Sequence, residues 1–323
     1  MKYIFFGTSE FAAIILKTLI TKNLTPVAIV TQPDRAAGRG KKLTPPPVKM
    51  IAQQHRIPLL QPEKLDTNFL KDIAHYHADL FVVAAYGEIL KKEVLDFPPR
   101  KTINVHPSLL PKYRGPSPIQ TAIMNGDEQT GVSIMLLDDA VDHGPILAQT
   151  TTQISTDDTT MTLSEKLALQ SAELLAMVIP QWGEQKLAPV AQDDTQATFT
   201  RMITKEDGHI DWTTSAAAIE RHTRAMAPWP GSWTMWKYGE KTIRLQCIKV
   251  TSRLASLELR RSGPGSGKNA APGTVLDDAN DCLVVACGDG VLAIELLQPE
   301  GKQTMTARAF VNGHPTIIGA VLK

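Results

Sequence analysis

Asp79-Leu80-Phe81-Val82-Val83-Ala84 is the stretch on which the fold turns. After one acid the residues are apolar without alternation, and a strand of that texture is buried on both faces, as strands of parallel sheets are. Working outward, Lys2–Gly7 and Pro26–Thr31 read as strands before it, and Thr102–Val105 and Thr130–Leu137 as strands after it. Between the first two, Phe11, Ile14, Ile15, Thr18 and Leu19 fall at i, i+3, i+4, i+7 and i+8, one apolar stripe of a helix. Thr8 or Ser9 stands where a side-chain oxygen can cap that helix. Strands alternating with helices predict a doubly wound, Rossmann-like α/β sheet whose ligands sit beyond the carboxyl ends of its strands. A long pattern from Thr160 to Trp182, with Leu163, Leu167, Gln170, Leu174 and Val178 on one side, predicts the helix that closes this domain, taken as residues 1–186.

Residues 187–207 are polar and aperiodic and read as a linker. The texture then changes. A helical segment, Ser215–Ala225, precedes short apolar runs at Ile243–Val250, Gly273–Leu276, Cys282–Ala286 and Val291–Leu297. Turn residues such as Cys287-Gly288-Asp289-Gly290 separate them, which predicts a small OB-like β-barrel over residues 208–323. The stretch Ser262-Gly263-Pro264-Gly265-Ser266-Gly267-Lys268 reads as a flexible loop within it.

With 323 residues, 43% of them hydrophobic, the chain can bury one large core and one smaller one. No apolar run approaches the roughly 18 residues of a membrane span, so no membrane partner is expected. The apolar stretch at the N-terminus is too short for a signal-peptide core. Cys247, Cys282 and Cys287 make neither a CxxC pair nor an even framework. A disulfide scaffold and a zinc site are therefore not expected, and a reducing cytoplasm is. The formal net charge of +1 excludes little, but the charge is unevenly spread. Arg35, Arg39, Lys41, Lys42 and Lys49 follow one another with no acid between them, and Lys241 to Lys268 holds seven basic residues against Glu258 alone. Two such segments favour a polyanionic partner over two solvated loops.

Chemistry is sparse along most of the chain. Gly7-Thr8-Ser9 follows the first strand but lacks the glycines of a dinucleotide fingerprint, which argues against a dehydrogenase. Gly38-Arg39-Gly40-Lys41-Lys42 lacks the spacing of a phosphate-binding Walker loop. His75 and His77 fall in a helical context on diverging faces and read as surface residues. Asn104-Val105-His106-Pro107 differs from all of these. It ends a buried strand and enters a proline-stiffened loop, so Asn104 and His106 project to one side at the carboxyl edge of the sheet. An amide beside an imidazole is a plausible donor pair for a developing oxyanion. Proton traffic needs a carboxylate, and Asp138, Asp139 and Asp142 all lie in the acidic turn after Val132–Leu137. The residue types alone leave all three open.

Asn104-x-His106 followed by Ser108-Leu109-Leu110-Pro111-Lys112-Tyr113-Arg114-Gly115 resembles the folate-dependent formyltransferases. Asp142 followed by Gly144 is similar to that family's catalytic aspartate loop, and Tyr86-Gly87-Glu88-Ile89-Leu90 to its folate-pocket segment. The resemblance continues in Thr31-Gln32-Pro33-Asp34-Arg35 and Ala37–Leu43, which look like the basic insertion of those members that act on methionyl initiator tRNA. Ile210-Asp211-Trp212 and Pro228-Trp229-Pro230 look like their second domain, so the match spans nearly the whole chain.

This resemblance implies Asn104, His106 and Asp142 as catalytic residues, which selects one aspartate from the three. It implies a folate site at Tyr86, Gly87, Ile89, Ser108, Leu109, Leu110 and Pro111, and tRNA contacts at Arg35, Arg39, Lys41 and Lys42. It implies 10-formyltetrahydrofolate as co-substrate, methionyl initiator tRNA as acceptor, no metal, and a monomer. Three positions depart from the family pattern: His143 where Thr is usual, Pro145 where an acid is common, and Glu88 in a normally apolar segment. Two rival readings use the same residues differently. A formyltransferase for a small amine such as glycinamide ribonucleotide or an amino sugar needs neither basic insertion nor second domain. A non-catalytic RNA-binding protein leaves Asn104, His106 and Asp142 idle.

Overall fold

A computed structural model describes residues 1–37, 42–253, 270–277 and 281–323. The chain forms two compact units. The first contains residues 1–118, 128–154 and 162–201; the second contains 119–127, 155–161 and 202–323.

Seven strands make the sheet of the first unit: β1 (Tyr3–Gly7), β2 (Ala28–Val30), β5 (Leu59–Leu60), β6 (Leu80–Ala84), β7 (Thr102–His106), β8 (Gln129–Leu136) and β9 (Ile146–Gln153). A separate hairpin pairs β3 (Arg35–Ala37) with β4 (Lys42–Thr44). The sheet order is β5-β2-β1-β6-β7-β8-β9, and it is parallel from β5 to β7. As the Leu80–Ala84 run predicts, β6 is central and buried at every position. Around it the helices are α1 (Glu10–Thr21), α2 (Pro47–His55), α3 (Thr67–Ala74), α4 (Lys92–Leu95) and α6 (Thr160–Gly183), whereas α5 (Pro118–Asn125) falls almost wholly in the second unit.

Several expectations shift in detail. Ser9, not Thr8, caps α1, while the Thr8 hydroxyl donates to the carbonyl of Tyr86. The buried stripe of α1 runs through Ala12, Ile15, Leu16 and Leu19, with Ile14 and Thr18 only half-buried. His75 and His77 lie beyond the end of α3, and His77 has a positive φ that a helix cannot hold. The strand predicted over 130–137 is present as β8 but runs antiparallel to β7, and its partner β9 is an edge strand that no sequence signal announces.

In the second unit, α7 (Ala216–Met226) packs with β10 (Ser232–Tyr238), β11 (Lys241–Arg253), β12 (Val275–Leu276), β13 (Leu283–Ala286), β14 (Val291–Pro299), β15 (Met305–Thr306) and α8 (Ala307–Gly313). The strands form one antiparallel sheet in the order β10-β11-β14-β13-β12, with β15 added to β14. Its core includes Ile210, Trp212, Ile219, Trp236, Leu292 and Phe310. Trp212 Nε1 donates to Thr234 Oγ1 at 2.9 Å, which satisfies its one polar atom inside that core.

The predicted linker is divided between the units. Residues up to Arg201 belong to the first because their backbone is bonded to it. Arg114 N donates to Thr198 O and Thr200 N to Arg114 O, each at 2.8 Å, and Val190 exchanges hydrogen bonds with Ile146 in both directions. A stretch without periodicity is thus held in place by extended pairing, which leaves no apolar pattern to read.

Candidate active site

The last three residues of β7 carry the site. Asn104 lies opposite Val83 of β6 and Met135 of β8, and His106 opposite Ser133 of β8. Both side chains leave the same face of the strand. Asn104 is half-buried and its amide makes no hydrogen bond among the described residues. His106 is 4% exposed. Its Nε2 donates to the carbonyl of Tyr113 at 2.9 Å, which turns Nδ1 toward Asp142 Oδ2, 3.5 Å away.

Asp142 arrives by an indirect route. The β8–β9 turn leaves the sheet beside the start of β7, where Leu137 N donates to Thr102 O. From Thr102 to His106 is about 13 Å along a strand, and the five residues from Leu137 to Asp142 can span up to about 17 Å. The loop therefore doubles back along β7 to bring its carboxylate to the far end. Asp142 adopts a φ of 48°, and its Oδ2 also accepts a hydrogen bond from Gly115 N at 2.8 Å. Asp138, by contrast, is bonded to His143 Nδ1 at 2.7 Å, on the outside of the loop. The geometry brings together Asn104, His106 and Asp142 and leaves Asp138 elsewhere.

The loop after His106 is anchored by residues that carry no sequence signal. Ser133 Oγ donates to Ser108 O at 2.6 Å and accepts from Leu110 N at 3.0 Å, while Gln149 Nε2 reaches both Leu110 O and Ser133 Oγ. Ser108 is fully buried and its hydroxyl is bonded to Lys112 O, so Ser108 and Leu110 act as framework rather than as open surface. Gly131 lets Leu109 approach, since a Cβ there would stand 2.5 Å from Leu109 Cδ2.

The expected folate segment divides in the same way. Tyr86 is 2% exposed, edge-on to Phe6, and belongs to the core. Gly87, at φ 91°, and Ile89, 91% exposed, lie open beyond it. Leu137, at the base of the aspartate loop, packs against the cluster that contains Tyr86 and Leu90, and that loop exposes Val141. The two loops thus share one apolar base, and each presents an open aliphatic side chain.

The basic segment is only partly free. Lys49 donates to both oxygens of Asp34 at 2.8 Å, and Gln61 together with Lys49 holds the Asp34 carboxyl below the usual carboxylate range. Arg35 is exposed and donates to Gln32 Oε1. Arg39 and Lys41 lie outside the described residues, as do the Lys42 side chain and the Gly/Ser stretch 262–268. In the second unit Lys249 pairs with Glu295, and Arg244 stacks over Trp233 with its guanidinium 4.3 Å from the ring centre.

Residues 1–179 match the family model described as formyl transferase, and residues 202–315 the model described as formyl transferase, C-terminal domain. A fold and a site of this kind define a formyl transferase. Among curated proteins, the methionyl-tRNA formyltransferase of Citrifermentans bemidjiense is 41% identical over 323 residues, covering 100% of this chain and 96% of its own. That of Caldanaerobacter subterraneus is 40% identical over 325 residues, with 100% of both covered. The chain belongs to the methionyl-tRNA formyltransferase family. Solved structures share the fold at low identity. HypX from Aquifex aeolicus in complex with tetrahydrofolic acid has a TM-score of 0.62 at 16% identity, over 96% of this chain and 47% of that one. An N-formyltransferase from Helicobacter canadensis has a TM-score of 0.61 at 17% identity, over 91% of this chain and 98% of that one.

Proposed function

We propose that this protein transfers the formyl group of 10-formyltetrahydrofolate to the α-amino group of methionyl initiator tRNA, the step that prepares this tRNA for translation initiation. The observation that carries the reading is the meeting of Asn104, His106 and Asp142 at the end of β7 in a chain of this family. The folate supplies an activated formyl carbon. Asn104 presents an unengaged amide to the formyl oxygen as charge develops there, and one such donor is typically worth about 3 kcal/mol. His106 was expected to be a second donor of the same kind. With Nε2 bonded to Tyr113, the ring instead offers Nδ1, facing Asp142, as its free nitrogen. The pair takes the proton from the attacking amine, directly or through one water, and the imidazolium adds positive charge beside the oxygen; the proton then passes to the folate nitrogen as its bond to the formyl carbon breaks and tetrahydrofolate leaves. Gly87, Ile89 and Leu109 line the folate site, with Tyr86, Ser108, Leu110 and Pro111 as its frame. Arg35, Arg39, Lys41 and Lys42 contact tRNA phosphates. A protein acting on aminoacyl-tRNA works where translation does, so the cytoplasm is its compartment.

The test is formyl transfer from radiolabelled 10-formyltetrahydrofolate, offered methionyl initiator tRNA, methionyl elongator tRNA and glycinamide ribonucleotide in parallel. Initiator tRNA is expected to be formylated at least tenfold faster than either rival. Preference for the small amine would overturn the assignment.

A further inference from the structure

One side chain from the segment after α6 holds the backbone of the aspartate loop, and it is braced in turn by an arginine from the loop after β7. Gln192 Nε2 donates to Asp142 O at 2.9 Å and to Gly144 O at 2.8 Å, one amide gripping the carbonyls on either side of His143. Gln192 Oε1 accepts from Arg114 Nε at 3.0 Å, and Arg114 Nη2 donates to Asp194 Oδ1 at 2.7 Å. Arg114 is 4% exposed. A guanidinium is buried at a cost unless its donors are met, and here Gln192 and Asp194 meet them.

The arrangement answers a mechanical need. Asp142 sits in the left-handed region, a conformation that residues other than glycine hold only with support from their surroundings. Its carboxylate is held by Gly115 N and faces His106, but those contacts fix the side chain and not the backbone that carries it. Gln192 fixes the backbone. An amide is the only neutral side chain that can offer two N–H donors to two carbonyls while accepting from an arginine.

We propose that Gln192, oriented by Arg114, is a positioning residue for the Asp142 carboxylate, so that the segment following α6 completes the reaction centre. The proposal rests on the reading of Asp142 as the proton carrier. In Gln192→Glu the acceptor for Arg114 remains, but an oxygen faces the two carbonyls in place of the amide nitrogen. Gln192→Met keeps the length and removes both polar atoms.

Kinetics on the full chain with methionyl initiator tRNA decide it. For Gln192→Glu, kcat is expected to fall at least about tenfold, with KM for tRNA and for folate within about twofold, the pattern of a loss in the chemical step. Thr195→Ala, in the same segment but bonded through its hydroxyl to Asp193, keeps the wild-type kcat. An active wild type with Gln192→Glu within about twofold in kcat, or with its loss confined to KM, overturns this inference alone. If Gln192→Glu does not fold, Gln192→Met decides by the same criteria. No transfer by the wild type would overturn the functional reading and this inference with it.

Discussion

His106 is held between a carbonyl and a carboxylate: Nε2 is 2.9 Å from Tyr113 O and Nδ1 is 3.5 Å from Asp142 Oδ2. The first contact fixes the tautomer, and the second turns the other ring nitrogen toward the carboxylate. A ring fixed in this way exchanges a proton at one nitrogen only. The consequences for the site are measurable residue by residue.

Asp142→Asn keeps an oxygen for Gly115 N but removes the charge facing His106. Formyl transfer is expected to fall by about 1,000-fold or more, comparable to the loss of the orienting acid in other histidine–carboxylate sites. Folate affinity, measured by intrinsic fluorescence titration, stays within about twofold of wild type. Retention of most of the activity would remove Asp142 from the mechanism.

Asn104→Ala removes an amide that has no partner in the described fold, so its effect falls on the reaction rather than on stability. A loss of about 100-fold or more in kcat is expected, with stability changed by no more than about 1 kcal/mol. Single-turnover transfer and urea unfolding, measured together, check both halves.

Gly144 permits the aspartate loop to close on its own strand, because a Cβ there would stand 1.9 Å from Leu136 O. Gly144→Ala is therefore expected to cost about 1–3 kcal/mol in stability, the range for forced overpacking. It is also expected to lower kcat, since the displaced loop carries Asp142. Equal activity and unfolding midpoint in variant and wild type would contradict the close approach.

His143 makes stability depend on pH. Its hydrogen bond to Asp138 raises the imidazole pKa, with further help from Asp194, whose oxygen is 3.5 Å from Nε2. A raised folded pKa stabilises fully below the unfolded value of about 6.5, and the contribution is lost as pH rises through the folded one. The difference in urea midpoint between wild type and His143→Thr is thus expected to be largest in mild acid and to fade toward alkaline pH. A difference constant across that window would mean that His143 is held by packing and not by charge.

The tRNA contact separates two kinds of basic residue. Arg39→Ala/Lys41→Ala is expected to flatten the slope of log affinity against log salt by about two. Lys49→Ala leaves the slope unchanged, because Lys49 is already neutralised by Asp34. Binding titrations at several salt concentrations distinguish them.

The fold is largely legible in the residues. The unbroken apolar run at Leu80–Ala84 announces a central parallel strand, and the spacing Asn104-x-His106 places two functional groups on one face of the next. What the residues leave open is set by long-range geometry. Asp138, Asp139 and Asp142 are equivalent as composition, and only the doubling back of the β8–β9 loop distinguishes them. Ser133, Gln149 and Gln192 anchor the site through side-chain hydrogen bonds between distant segments, which leave no trace in periodicity. Residues 187–207 look passive because pairing by backbone needs no pattern of side chains. Tyr86 shows the converse: its place in a motif suggests an open pocket, but its ring is packed against Phe6.

The pairing of residues 190–200 with the first unit also bears on modularity. A catalytic half cut at the end of α6 would lack Gln192, Asp194, Thr198 and Thr200, and with them the partners of Arg114 and of the aspartate loop. The portable piece ends near Arg201 instead. Any chimera that joins the first unit to a different second one must carry residues 187–201 along, since a junction made at the end of α6 would remove the partners that hold Arg114 and the aspartate loop.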